Sequence, residues 1–170
     1  MNRVSELSDR IEALAGTPSA QRLPEDALHV VHRLLHLLES GTLRAAERAD
    51  DGTWQAVPWV KRGILLGFRF GHLVDMSPLS DPHPVHGEHR PFSFVDKHTY
   101  PTRHFAPADN VRIVPGGSTV RRGAYLAPGV VCMPPMYVNA GAYVGEGTMI
   151  DSHALVGSCA QVGKRVHLSA

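Results

Sequence analysis

Two spacings of apolar residues divide the chain. In the first seventy residues Leu7, Ile11 and Leu14 recur at helical intervals ahead of Gly16, and Ala27, Val30, Val31, Leu34, Leu35 and Leu38 form a second, longer stripe that stops at Ser40-Gly41. This spacing predicts two amphipathic helices, the second opening at Pro24, because a first helical residue tolerates a missing N–H. His29, His32 and His36 fall on the face opposite the stripe, where water is expected. LRAAER and TWQAV flank Asp51-Gly52 and predict a hairpin, and Pro58 opens a third helix through WVKRGILLGFRF despite the poor helix formers Gly63 and Gly67. Between about residues 71 and 110 the periodicity gives way to Pro, His, Asp and Ser, which predicts a connection with at most short strands.

From Val114 the interval changes to six: Val114, Val120, Leu126, Cys132, Val138, Val144, Ile150, Val156, Val162 and Leu168. Four positions after each of the first nine stand Ser118, Ala124, Val130, Met136, Ala142, Thr148, Ala154, Ala160 and Val166, of which only Met136 is large. Strands repeat every two residues and helices every 3.6, so a sustained period of six marks hexapeptide β-helix repeats. Three hexapeptides close one triangular coil with the aliphatic residues inside. Val120 is then expected to stack with Val138 and Val156, and Leu126 with Val144 and Val162, at a strand spacing of ~4.8 Å. About three coils are present, and the period by itself sets no hand.

The expected fold class is α+β, with a helical domain carrying a hairpin over residues 1–70, an irregular connecting segment over 71–112 and a β-helix over 113–170. The 170 residues are 43% hydrophobic, enough for one substantial core or two that share an interface. Seventeen basic and sixteen acidic residues leave a formal charge of +1, which gives no field to gather nucleic acid or an anionic membrane. No apolar run reaches the ~20 residues of a membrane span, and MNRVSELSDRIEALAG is amphipathic rather than a signal peptide, so a cytoplasmic protein is expected. Cys132 and Cys159 lie one and a half coils apart, at different heights and corners, and are read as free thiols. Cys132 falls on an inward position.

Other groupings carry less chemistry. His83, His86 and His89 recur every three residues in a Pro-rich stretch, and His29, His32 and His36 share a helix face, but neither set has a rigid ligand geometry or an HExxH pattern, so no metal is expected. The glycines of GAYVGEG and VPGG precede no helix and are assigned to turns rather than to a phosphate cradle. Arg121 and Arg122 are expected on the surface. Asp151 directly follows the inward Ile150, which places its side chain outward near a corner, where it serves either turn hydrogen bonds or a ligand.

The stretch MPPMYVNAGAYVGEGTMIDSHALVGSCAQVGKRVHLSA, together with RIVPGG and LLESGTLRAAER…DGTWQAVPWVKRGILLGFRF, resembles the tetrahydrodipicolinate N-succinyltransferases. The resemblance runs from about Ala27 to Ala170 and weakens between Gly71 and Phe105. It implies a left-handed β-helix, a homotrimer with active sites between subunits, no permanently bound cofactor or metal, and transfer of a succinyl group from the co-substrate succinyl-CoA to the amine of ring-opened tetrahydrodipicolinate, 2-amino-6-oxopimelate. It implies that Asp151, in GTMIDSH, is the catalytic base and contacts substrate, and that Arg112, ahead of Ile113-Val114-Pro115, anchors a substrate carboxylate. Both roles suit the residue types: a carboxylate can take a proton from an attacking amine, and a guanidinium can hold a carboxylate through two bonds. Backbone N–H groups along the coil are expected to stabilise the thioester oxyanion.

The family commonly has Trp two residues after its catalytic Asp, where this chain has His153, so substrate packing there is expected to differ. The family also continues for several coils that carry most of the CoA groove and a second catalytic glutamate. The resemblance therefore implies that this polypeptide is inactive alone and prone to associate through its last strand edge. Two alternatives stand beside succinyl transfer: another hexapeptide acyltransferase, for instance one using acetyl-CoA, and a non-catalytic trimerisation module.

Overall fold

The computed structural model describes residues 3–18, 21–77 and 94–169. Among the described residues three α-helices form, α1 over Arg3–Ala15, α2 over Ala27–Glu39 and α3 over Pro58–Phe70. The helix stripes do what their spacing predicts: Leu7, Ile11, Leu14, Val31, Leu34 and Leu35 are buried in one cluster that α3 completes with Val60 and Ile64. Helix α2 begins at Ala27, three residues after Pro24, whose carbonyl instead accepts the Ala27 N–H in the turn before the helix. His29 and His36 are not buried, in keeping with a wet face, but His32 is half-buried and is pushed toward its neutral form by that burial.

The two glycines that weaken α3 as an isolated helix explain its packing. A Cβ on Gly63 would lie 2.4 Å from Leu34 Cδ2 and 2.9 Å from Ile11 Cδ1, and one on Gly67 would lie 2.4 Å from the Tyr100 hydroxyl. Helix propensity is given up for close approach. Tyr100, fully buried, donates its hydroxyl to the Ile64 carbonyl at 2.6 Å and stacks on Phe68 with ring centroids 4.2 Å apart. The predicted hairpin is present as antiparallel β1 (Ala46–Arg48) and β2 (Trp54–Ala56). In the connecting region a second antiparallel pair forms from β3 (Leu73–Asp75) and β4 (Val95–Lys97). His83, His86 and His89 lie outside the described residues.

A parallel β-helix of about three turns then runs through ten two-residue strands: β5 (Arg112–Ile113), β6 (Thr119–Val120), β7 (Tyr125–Leu126), β8 (Val131–Cys132), β9 (Tyr137–Val138), β10 (Tyr143–Val144), β11 (Met149–Ile150), β12 (Leu155–Val156), β13 (Gln161–Val162) and β14 (His167–Leu168). They stack into three faces, β5-β8-β11-β14, β6-β9-β12 and β7-β10-β13. Val120, Val138 and Val156 share one column, and Leu126, Val144 and Val162 another. The inward residues Cys132, Val138, Val144 and Ile150 are fully buried. This is the arrangement expected of a left-handed β-helix.

One register differs from the six-residue count. Ile113, not Val114, pairs with Cys132 and packs on the interior, so the first repeat is one residue longer than the others. The extra residue is absorbed in the turn Val114–Ser118, where Gly116 and Gly117 take φ of 142° and 91°. Elsewhere the corner is regular except after Cys132, where the third residue is Pro135, preceded by a cis peptide bond. The third residue after the inward aliphatic adopts positive φ at Gly123, Gly129, Gly141 and Gly147, then at His153, Cys159 and Arg165, with φ of 66°, 63° and 51°. Three side chains thus occupy a conformation that glycine fills in the earlier coils.

The helical layer and the β-helix share buried surface. Ala140, from a β-helix corner, is enclosed by the helical cluster, and Cys159 packs against it. Glu39 accepts the Gly123 N–H at 2.8 Å, and Arg44 donates to Gln161 at 2.8 Å while lying 3.7 Å over the Tyr143 ring. Arg121 and Arg122, expected on the surface, belong to this junction. Arg121 is only 12% exposed, pairs with Asp96 and lies over the rings of Phe68 and Tyr100, while Arg122 is 3.7 Å from Glu39. The six-residue pattern shows that these arginines point outward, but outward here means against α2, α3 and β4.

Candidate active site

Asp151 and Arg112 lie on the same face of the prism. Asp151 follows β11 and Arg112 opens β5, with β8 between those strands, so they are two strand spacings apart, roughly 10 Å, and offset by two residues along the strand. Both flank an inward residue, Ile150 and Ile113, and so both project outward. The structure brings them to one surface without contact, a separation suited to two groups that hold different ends of one ligand.

The Asp151 carboxylate is fixed at both oxygens. Oδ1 accepts the Ser152 N–H at 2.8 Å, and Oδ2 faces His167 Nε2 at 3.3 Å. The backbone bond first and the imidazole second hold the carboxyl below its usual titration range, so it is ionised throughout the neutral range. Its side chain is 39% exposed, open enough to meet a ligand. Sequence reasoning misses His167, although the stacking count contains it: residue 167 lies one coil beyond Met149 on the same face.

Arg112 lines an open cleft of about 530 Å³ with Arg103, His104, Phe105 and Ser118. Two arginines therefore line the cleft near the start of the β-helix. Arg103 is partly committed, since it donates to the Ala124 carbonyl at 2.6 Å and stacks 4.6 Å over Phe105, whereas Arg112 donates its backbone N–H to the Val130 carbonyl and is exposed. Ser118 Oγ, buried in the same wall, has no hydrogen-bond partner among the described residues. A cleft of similar size, about 550 Å³, opens on the helical side beside Arg22, Glu25 and His72, but its Arg69 is spent on the carbonyls of Thr17, Pro18 and Gln21.

His153 stands in the corner after Asp151, exposed, with its N–H bonded to the Pro135 carbonyl at 2.6 Å. Where the family commonly has an indole, the site thus carries a smaller ring with polar nitrogens. The two thiols are free. Burial pushes Cys132 up to about 11, and it also raises Cys159, against a smaller opposing effect of Lys61, so neither is poised as a nucleophile. Among the described residues no group of three or more His, Cys, Asp or Glu side chains is placed to hold a metal ion, and no helix is long and apolar enough to cross a membrane.

Comparison with known proteins points the same way. Residues 6–70 match the family model described as Tetrahydrodipicolinate N-succinyltransferase N-terminal. Proteins named 2,3,4,5-tetrahydropyridine-2,6-dicarboxylate N-succinyltransferase are 46% identical over 145 residues in Paramagnetospirillum magneticum, 48% over 139 in Pectobacterium atrosepticum and 44% over 160 in Methylobacillus flagellatus. These alignments cover 82%, 82% and 94% of this chain but 47%, 47% and 53% of the relatives, so the chain spans about half the length of the curated relatives it matches. With the matching helical layer in front and hexapeptide coils behind, residues 6–70 match the N-terminal domain of the tetrahydrodipicolinate N-succinyltransferase family, and the chain is similar to these N-succinyltransferases over the length that it spans.

Proposed function

We propose that this chain supplies the amine-substrate side of a CoA-dependent N-succinyltransferase acting on tetrahydrodipicolinate in its ring-opened form, a step toward diaminopimelate and lysine. The observation that carries this reading is the ionised Asp151, fixed by two hydrogen-bonding partners, on the same stacked face of strands as Arg112. Arg112 binds one substrate carboxylate. Asp151 accepts a proton from the substrate ammonium, the free amine attacks the thioester carbonyl, the C–N bond forms as the C–S bond breaks, and the second amine proton ends on the departing CoA thiolate. Proton transfer needs no metal, and succinyl-CoA enters as co-substrate rather than as a resident cofactor.

The working form in this reading is a cytoplasmic homotrimer, in which a neighbouring β-helix covers the face that bears Asp151. A single chain leaves that face open, as the exposure of Asp151 and His167 illustrates. The test uses the complete gene product. Succinyl-CoA is expected to support turnover with tetrahydrodipicolinate well above acetyl-CoA, and Asp151→Asn is expected to abolish turnover while the sedimentation coefficient stays that of a trimer. Near-normal turnover of Asp151→Asn would remove that residue from the mechanism, and a preference for acetyl-CoA would reassign the acyl group.

A further inference from the structure

We infer that His167 is the positioning residue of the Asp151 carboxylate, donating from Nε2–H to Oδ2 so that the lone pairs left for the substrate ammonium keep one direction. The inference rests on the general-base reading of Asp151 and adds to it a residue that the reaction chemistry does not itself require. An aspartate has two side-chain torsions, and a single hydrogen bond leaves the second of them loosely set. Here the Ser152 N–H holds Oδ1 at 2.8 Å and the imidazole holds Oδ2 at 3.3 Å, from the neighbouring strand β14. The two donors approach different oxygens and define the carboxylate plane. Displacing a catalytic group by about 1 Å can cost 100-fold in rate, so a second donor has consequence for turnover without touching substrate.

The contact comes from the fold rather than from local sequence. His167 and Asp151 are sixteen residues apart, and only the stacking of β14 on β11 joins them. The charged and titratable groups around the imidazole are few. Asp151 faces it from β11. Lys164 and Arg165 precede it in its own coil, with Lys164 held 3.2 Å from Glu146, and His153 lies in the corner after Asp151. Arg112 is further down the same face.

The test compares His167→Ala, His167→Gln and Asp151→Asn in the complete gene product with succinyl-CoA and tetrahydrodipicolinate. His167→Ala is expected to lower kcat by about 10- to 100-fold while KM for the amine substrate stays within about twofold. His167→Gln keeps an N–H at the same reach, so it is expected to recover most of kcat. Wild-type kcat in His167→Ala, a KM that rises in step with the loss of kcat, or a glutamine variant no better than alanine overturns the assignment. Loss of turnover in Asp151→Asn alongside any of those results leaves the general base standing and removes His167 alone. Full turnover in Asp151→Asn removes both.

Discussion

Replacing Gly63 by alanine is a change that an isolated helix would welcome and that this fold should reject. In a solvent-exposed helix interior, Gly→Ala stabilises by about 1 kcal/mol, because glycine loses more backbone freedom on ordering. At position 63 the added methyl would sit 2.4 Å from Leu34 Cδ2 and 2.9 Å from Ile11 Cδ1, and those side chains are fully buried, so neither can swing into solvent. Forcing an extra carbon into a packed core costs about 1–3 kcal/mol through off-rotamer side chains and helix displacement. With two buried neighbours both pressed below contact distance, the upper half of that range applies, and the net of clash and propensity is a loss of about 1–2 kcal/mol. Urea unfolding monitored by helical circular dichroism, at one fixed protein concentration, should show the midpoint fall with an unchanged slope. Leu65→Ala, at an exposed position of the same helix, should change it little. A Gly63→Ala variant as stable as the parent, or more so, would mean that α3 is not seated on α1 and α2 as described.

Four further outcomes are expected. Arg165 holds φ of 51° at a corner that earlier coils give to glycine, so Arg165→Gly should stabilise by about 0.5–1 kcal/mol in thermal unfolding, the relief of left-handed strain outweighing the added freedom of the unfolded chain. His32 is held below the usual imidazole range first by burial and then by Arg122, so folding favours its neutral form. Its contribution is intact above the unfolded value near 6.5 and is lost as pH falls from there through the folded value; the melting temperature should therefore drop on going from pH 7.5 to 5, and less so in His32→Gln. A thiol reagent at pH 7 should label the half-buried Cys159 before Cys132, and Cys132 only as the protein unfolds; equal rates would contradict the inward placement of Cys132. Asp151, held below the usual carboxylate range first by the Ser152 N–H and then by His167, should stay ionised throughout the neutral range, so an acid limb in turnover near neutrality must belong to another group.

Much of the fold is legible in the sequence because periodicity is enforced by burial. The helical stripes and the six-residue ladder each name the residues that must leave water, and apart from Val114 those residues point inside. What periodicity does not encode is which outward residues meet another part of the chain. Arg121 and Arg122 look like any solvated pair in a repeat, and only the seating of the helical layer and β4 on that corner turns them into an ion-paired junction. His32 escapes the pattern for the same reason. Gly63 and Gly67 argue against a helix when judged by propensity alone; they are there because tertiary contact overrides propensity where Leu34, Ile11 and Tyr100 need the room.

The site shows the limit of counting in a sharper form. Modulo eighteen, Asp151 is placed on its face correctly, and the same count brings residue 167 over residue 149, close enough to reach Asp151. Yet the count misplaces the first inward residue by one, because a period assumes equal repeats and the Val114–Ser118 turn holds one more. A one-residue slip in a strand exchanges inside for outside. Had β5 followed the ideal register, Val114 would be interior, Ile113 would point outward and Arg112 would fall at the preceding corner. The extra residue thus sets Arg112 in the strand that stacks below β8 and β11, so the two residues proposed to bind one substrate share a face because of the place where the repeat is irregular.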